Sequence, residues 1–163
     1  MHPAALPADR LLADCTIERT RRGGPGGQHR NKVETAVVIT HLPTSVRAEA
    51  SERRSQGENQ IQAIQRLRIS LALEIRLPTT AEPSPLWQSR ITAGRLAVNP
   101  DHDDAPALLA EALDALAAND WTPAAAGEFL KVSATQLVKF LKQHDALPLL
   151  NENRRQRGLP PLK

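Results

Sequence analysis

Aromatic residues and cysteine are nearly missing from this sequence. Its 163 residues hold no tyrosine, four other aromatics (Trp87, Trp121, Phe129 and Phe140) and one cysteine, Cys15. So little aromatic surface argues against the stacking platforms that hold single-stranded nucleic acid. A lone cysteine excludes an internal disulfide framework and any Cys-rich metal site. The five histidines, at positions 2, 29, 41, 102 and 144, fall into neither a His-x3-His nor a His-Glu-x-x-His pattern. No zinc site, and no cofactor, is expected. No uncharged stretch approaches the roughly 20 residues that span a bilayer, and no apolar run at the N-terminus has the form of a signal peptide. The expectation is a soluble, cytoplasmic protein with no membrane partner.

What is present is enough for a folded core: 40% hydrophobic and 24% charged residues. The net charge of +3 is unevenly spread. Residues 1–76 hold 12 Lys+Arg against 8 Asp+Glu, residues 77–150 hold 5 against 9, and residues 151–163 hold 4 against 1. That asymmetry suggests an N-terminal half and a tail that meet polyanions, with a neutralising piece between them.

Periodicity organises the chain. Cys15 and Ile17 alternate with Thr16 and Glu18, which predicts a half-buried strand over 14–19. Val33 to Leu42 is apolar and β-branched, Pro43-Thr44-Ser45 is a turn, and Val46, Ala48 and Ala50 alternate with Arg47 and Glu49, so a hairpin follows. From about Gly57 the period becomes helical, with Ile64, Leu67, Leu71 and Ile75 on one stripe. Pro78, Pro83, Pro85, Pro100 and Pro106 mark 77–104 as a linker with little helix, holding a small hairpin around Gly94. A helical module is expected over 105–147. Leu109, Leu113 and Leu116 line its first helix, Thr122-Pro123 opens the second, and Ser133 with Gln136 forms a capping box for the third. The tight Lys131-Val132-Ser133 turn gives it a helix-turn-helix character. Residues 148–163 read as a basic tail. The fold class is α+β: a small antiparallel sheet with a long packed helix and an exposed loop, then a small all-α module.

The loop is the informative part. Residues 20–32, TRRGGPGGQHRNK, hold four glycines, a proline and four cations with no apolar anchor. They must form an exposed loop. It has no Gly-Lys-Ser/Thr ending for a P-loop and no Gly-x-Gly-x-x-Gly fingerprint leading into a βαβ unit. Gly-Gly-Gln alone would support only a surface hairpin. Its surroundings decide the matter: Arg22-Gly23-Gly24-Pro25-Gly26-Gly27-Gln28-His29-Arg30-Asn31-Lys32, then Thr35-Ala36-Val37, Thr40-His41-Leu42-Pro43-Thr44, and Arg54-Ser55-Gln56 with Asn59. In order and spacing, over residues 10–76, this resembles the peptidyl-tRNA hydrolysis domain of class I peptide chain release factors, shared by the codon-independent ribosome-rescue hydrolases.

The resemblance implies an ester hydrolase acting on P-site peptidyl-tRNA within the peptidyl transferase centre of the ribosome. It implies catalysis by Gly26, Gly27 and Gln28. The two glycines would reach backbone angles closed to other residues, and the Gln28 N–H would stabilise charge developing at the reacting centre. In many members the glutamine is N5-methylated, so Gln28 is a candidate substrate of a glutamine methyltransferase. Arg21, Arg22, His29, Arg30, Asn31 and Lys32, with Arg53 and Arg54, are the expected contacts to large-subunit rRNA. Lys139, Lys142, Arg154, Arg155 and Arg157 are expected to add RNA contacts from the C-terminal part. Arg30, Arg53 and Ser45 depart from the common pattern, where a small apolar residue, an acid and often a glycine stand. None of these touches Gly26, Gly27 or Gln28.

The resemblance leaves no room in 163 residues for the codon-reading domains of ordinary release factors. A stop-codon-independent activity, in rescue or termination, is therefore expected. The small rescue hydrolases end in a long basic tail, whereas residues 151–163 carry only four cations. A non-catalytic ribosome- or RNA-binding protein that keeps the fold is the alternative, against which the intact Gly26-Gly27-Gln28 argues. A transcription regulator built on 105–147 is weaker still, because that segment is acidic. The expected organisation is a hydrolysis domain over 1–76, a linker over 77–104, a helical module over 105–147 and a tail over 148–163.

Overall fold

The alternating stretch after Asp14 becomes strand β1 (Cys15–Thr20) in the computed structural model, which describes residues 1–21 and 35–163. The chain divides into two compact units, Met1–Glu74 and Ile75–Lys163. In the first, β1, β2 (Ala36–His41) and β3 (Arg47–Ala50) form an antiparallel sheet in that order. Cys15 lies opposite His41, Thr20 opposite Ala36, and Val37 opposite Ala50. With a side-chain period of two, this register sets Ile17, Ile39 and Ala48 on one face. A one-residue slip would turn them all outward. Ser45 closes the β2–β3 turn at φ 60°, a left-handed angle unfavourable to a residue with a Cβ.

A short helix α1 (Ala8–Leu12) buries Leu11, whose carbonyl accepts the Cys15 thiol at 3.2 Å. The long helix α2 (Gln56–Glu74) packs on β2 and β3. Its inward stripe is Asn59, Ala63, Leu67 and Leu71, one residue per turn, all fully buried. The apolar stripe expected there is present at Leu67 and Leu71, while Ile64 is only half-buried and Ile75 lies past the helix end. Arg68 on the same helix ties down the N-terminal segment by donating to the Ala4 carbonyl at 3.0 Å.

In the second unit the prolines do not produce a slack linker. Pro85 opens a short helix α3 (Pro85–Ser89), capped by the Ser84 hydroxyl, which accepts from the Trp87 N–H at 3.0 Å. Strands β4 (Ile91–Thr92) and β5 (Arg95–Leu96) make the expected small hairpin, turned through Ala93 and Gly94 at φ 49° and 71°. The preceding stretch is strapped to helix α4 (Ala105–Ala118): Asp114 accepts the Leu77 N–H at 2.9 Å, and Glu111 accepts both the N–H and hydroxyl of Ser84. Proline is barred from helix interiors but not from a first turn, nor from an extended strap whose free N–H groups find carboxylates.

Helix α4 is buried nearly all round, as the central helix of a small bundle should be. It packs on α5 (Pro123–Leu130), which packs on α6 (Ala134–Gln143), which in turn meets α7 (Leu147–Gln156). Gly127 of α5 meets the following turn so closely that a Cβ would sit 2.6 Å from the Val132 carbonyl oxygen. The α6 cap is half of the expected box. Ser133 accepts from the Gln136 N–H at 3.2 Å, but the Gln136 side chain reaches the Leu96 N–H and Gly94 carbonyl of the hairpin instead. Thr122 stands at the N-cap of α5 without a side-chain hydrogen bond.

Candidate functional site

The ladder between β1 and β2 ends at the Thr20–Ala36 pair, so the chain positions that flank the glycine-rich segment are paired at one end of the sheet. Gly26, Gly27 and Gln28, with Arg22, His29, Arg30, Asn31 and Lys32, lie outside the described residues. The two ends of that segment are described. Arg21, one position past β1, is exposed. Thr35, one position before β2, is buried, and its carbonyl accepts from Asn59 Nδ2 at 2.7 Å.

Asn59 does more than hold the loop's return. The other Nδ2 hydrogen goes to the Arg53 carbonyl at 2.9 Å, and Oδ1 accepts the Arg53 N–H at 2.9 Å. A fully buried amide therefore uses both donors and its acceptor to join the loop's exit to the backbone before α2. The exposed side chains of Arg53 and Arg54 are thereby held at the same end of the unit as the loop base. On the far side of that connection, Arg66 donates to the Glu49 carbonyl at 2.8 Å and pairs with Glu52 at 2.6 Å. This pairing holds the Glu52 carboxyl below its usual range. Arg19 of β1 reaches Gln60 Oε1 at 3.4 Å. Asn59 belongs to the motif that carries the family resemblance, but this role was not expected from the sequence. The signal was an amide in the 59-63-67-71 stripe, where every other residue is apolar.

The C-terminal cations are not one set. Lys139 and Lys142 are exposed on α6. Arg154 is 7% exposed, and its guanidinium is taken by the Trp121 and Pro160 carbonyls, each at 3.0 Å. It staples the C-terminal segment to the bundle, so Arg154, expected as an RNA contact, has its guanidinium engaged within the chain. Arg155 is engaged by Glu152 in a forked pair with contacts down to 2.8 Å, and Arg157 donates to the Asn153 carbonyl. The expected basic tail is thus helix α7 followed by a pinned irregular segment, because Leu150 and Arg154 pack inward and Asn151 clamps Leu162 through its N–H (2.7 Å) and carbonyl (2.9 Å).

Burial perturbs Arg76, Asp114 and His144 in this unit, lowering the Arg76 value. Burial pushes Asp114 up to about 6, opposed by the Leu77 N–H and by Arg76 at 3.6 Å. Burial holds His144 below its ordinary value, where its ring packs edge-on against Phe140 at 4.8 Å. Among the described residues no group of three His, Cys, Asp or Glu side chains is arranged to hold a metal. Among them, too, no helix is long and apolar enough to cross a membrane.

A family model described as the RF-1 domain matches residues 11–94. The chain is 53% identical over 58 residues to the chloroplastic peptide chain release factor PrfB1 of Arabidopsis thaliana, covering 36% of this chain and 13% of that protein. It is 39% identical over 82 residues to peptide chain release factor 1 of Delftia acidovorans, covering 50% of this chain and 23% of the relative. With peptide chain release factor 1 of Nitrosomonas europaea it shares 54% identity over 52 residues, 32% of this chain and 14% of that one. The chain spans less than a quarter of the length of each of these relatives.

Proposed function

The chain belongs to the RF-1 domain family, and from that premise we propose that it hydrolyses the ester between a nascent peptide and P-site tRNA on the ribosome. Water attacks the ester carbonyl, the acyl C–O bond breaks, and the tRNA 3′ oxygen leaves with a proton. The backbone N–H of Gln28 steadies the oxyanion between those events, worth on the order of 3 kcal/mol for one such donor. Arg21, Arg22, His29, Arg30, Asn31 and Lys32, with Arg53 and Arg54, contact large-subunit rRNA around the peptidyl transferase centre, the arginines and Lys32 neutralising its phosphates. The observation that carries this reading is Gly26-Gly27-Gln28 lying between two strands whose ends are paired and whose exit is locked by Asn59.

We infer further that release needs no stop codon and serves stalled ribosomes in the cytoplasm. In support, the family match ends at residue 94, and the chain continues from there into a small helical bundle. Gln28 is the proposed substrate of a glutamine methyltransferase.

Release of a labelled peptide from ribosomes carrying P-site peptidyl-tRNA tests all of this. Complexes with a stop codon, a sense codon or a vacant A site should all release, and Gln28→Ala should abolish release in each. Ribosome binding without release in any complex would replace the hydrolase with a non-catalytic ribosome-binding protein.

A further inference from the structure

The second unit holds a groove of about 520 Å³ between the start of α5, one side of α6 and the C-terminal segment. Its apolar lining comes from Pro123, Ala134, Val138 and Leu162, and its cations from Lys139, Lys142 and Lys163. Among the described residues that line it, none is acidic. That is a local segregation of charge, because residues 75–163 as a whole carry 10 Lys+Arg and 10 Asp+Glu. The wall is built rather than adventitious: Asn151 grips the Leu162 backbone in both directions, and Arg154 fastens Pro160. Arg154 lines the groove but spends its guanidinium on the Trp121 and Pro160 carbonyls, so the lysines supply the charge on offer.

We propose that this groove docks a short acidic, amphipathic peptide segment of a protein partner. Its apolar side chains fill the space beside Val138 and Leu162, and its carboxylates meet Lys139, Lys142 and Lys163. Charge complementarity selects an anion, and the apolar lining selects among anions. A nucleic-acid backbone gains nothing from Pro123, Ala134, Val138 and Leu162, and no aromatic side chain lines the groove for a base to stack on. A peptide gains from both halves, and the volume falls within the range of preformed binding sites. Lys139 and Lys142 thus take a protein partner in place of RNA.

Random dodecapeptides displayed on phage, selected against the immobilised full chain, test this. Enriched peptides should pair Asp or Glu with Leu, Ile, Val or Phe. Their synthetic forms should bind at least tenfold more weakly to Lys139→Glu/Lys142→Glu and to Val138→Asp, with circular dichroism confirming that both variants fold. Four results each overturn the proposal: no enrichment over the charge-reversed chain, enriched peptides without acids, affinity indifferent to Val138→Asp, and a 20-nucleotide single-stranded RNA that binds the wild type and loses as much affinity on charge reversal.

Discussion

Asn59 and Thr35 stand 24 positions apart, and the amide of one donates to the carbonyl of the other at 2.7 Å with both residues buried. Replacing Asn59 by Ala would leave the Thr35 carbonyl and both backbone groups of Arg53 without this partner. The cost should be on the order of 3 kcal/mol, read as a lower urea midpoint at unchanged slope. Peptide release should fall further than ribosome binding, because the loop's exit is no longer fixed. A variant with wild-type stability would show that the amide is not the lock described.

Substitutions at the loop should separate stability from activity in the opposite sense. Residues 20–32 contain no apolar anchor, so Gln28→Ala and Gly26→Ala should change unfolding free energy by no more than about 0.5 kcal/mol. Release should nevertheless be lost. A well-folded Gly26→Ala protein that releases peptide at the wild-type rate removes the catalytic assignment.

Asp114 makes stability depend on pH in an unusual direction for a carboxylate. Its folded pKa is raised from 3.8 to about 6, so its contribution is fully present below pH 3.8 and fades as pH rises toward 6. The span is on the order of 3 kcal/mol. The stability of the wild type relative to Asp114→Asn should therefore decline between pH 4 and pH 6 and then level off. Urea titrations of both proteins at pH 4, 5, 6 and 7 read this directly, and a difference independent of pH refutes it.

Gly127 is required for room. A methyl at this position would meet the Val132 carbonyl oxygen at 2.6 Å, a backbone atom that cannot swing aside. Gly127→Ala should destabilise the helical unit by roughly 2–3 kcal/mol despite the helix propensity it gains. Tryptophan fluorescence, reporting on Trp87 and Trp121 in the same unit, would follow the loss. An unchanged midpoint would mean the turn can open.

The α+β class and the order of β1, β2, β3 and α2 were legible because strand alternation and the helical stripe at Leu67 and Leu71 both survive in the sequence. The Asn59 lock was half legible: the residue stood out, but a side chain bonding to positions 53 and 35 leaves no periodic trace. Helix α7 was hidden by its composition. Asn151, Glu152, Asn153, Arg154 and Arg155 read as a solvated tail until Trp121 and Pro160 supply carbonyls for the arginine. The bonds that hold the 77–104 segment were hidden for a related reason, since prolines advertise what the backbone cannot form and are silent about the carboxylates of Glu111 and Asp114 that bind it.

Trp87 lies within the family match, which ends at residue 94. Yet its indole N–H donates to the Leu130 carbonyl at 2.8 Å, and its ring meets Phe140 edge-on at 6.0 Å, so it belongs to the core of the bundle. The border that descent draws and the border that packing draws therefore fall at different places. Grafting this family's module between relatives by cutting where likeness ends would carry off an indole and leave its socket behind. A graft cut after Glu74, where the first unit ends, would keep the indole and its socket together.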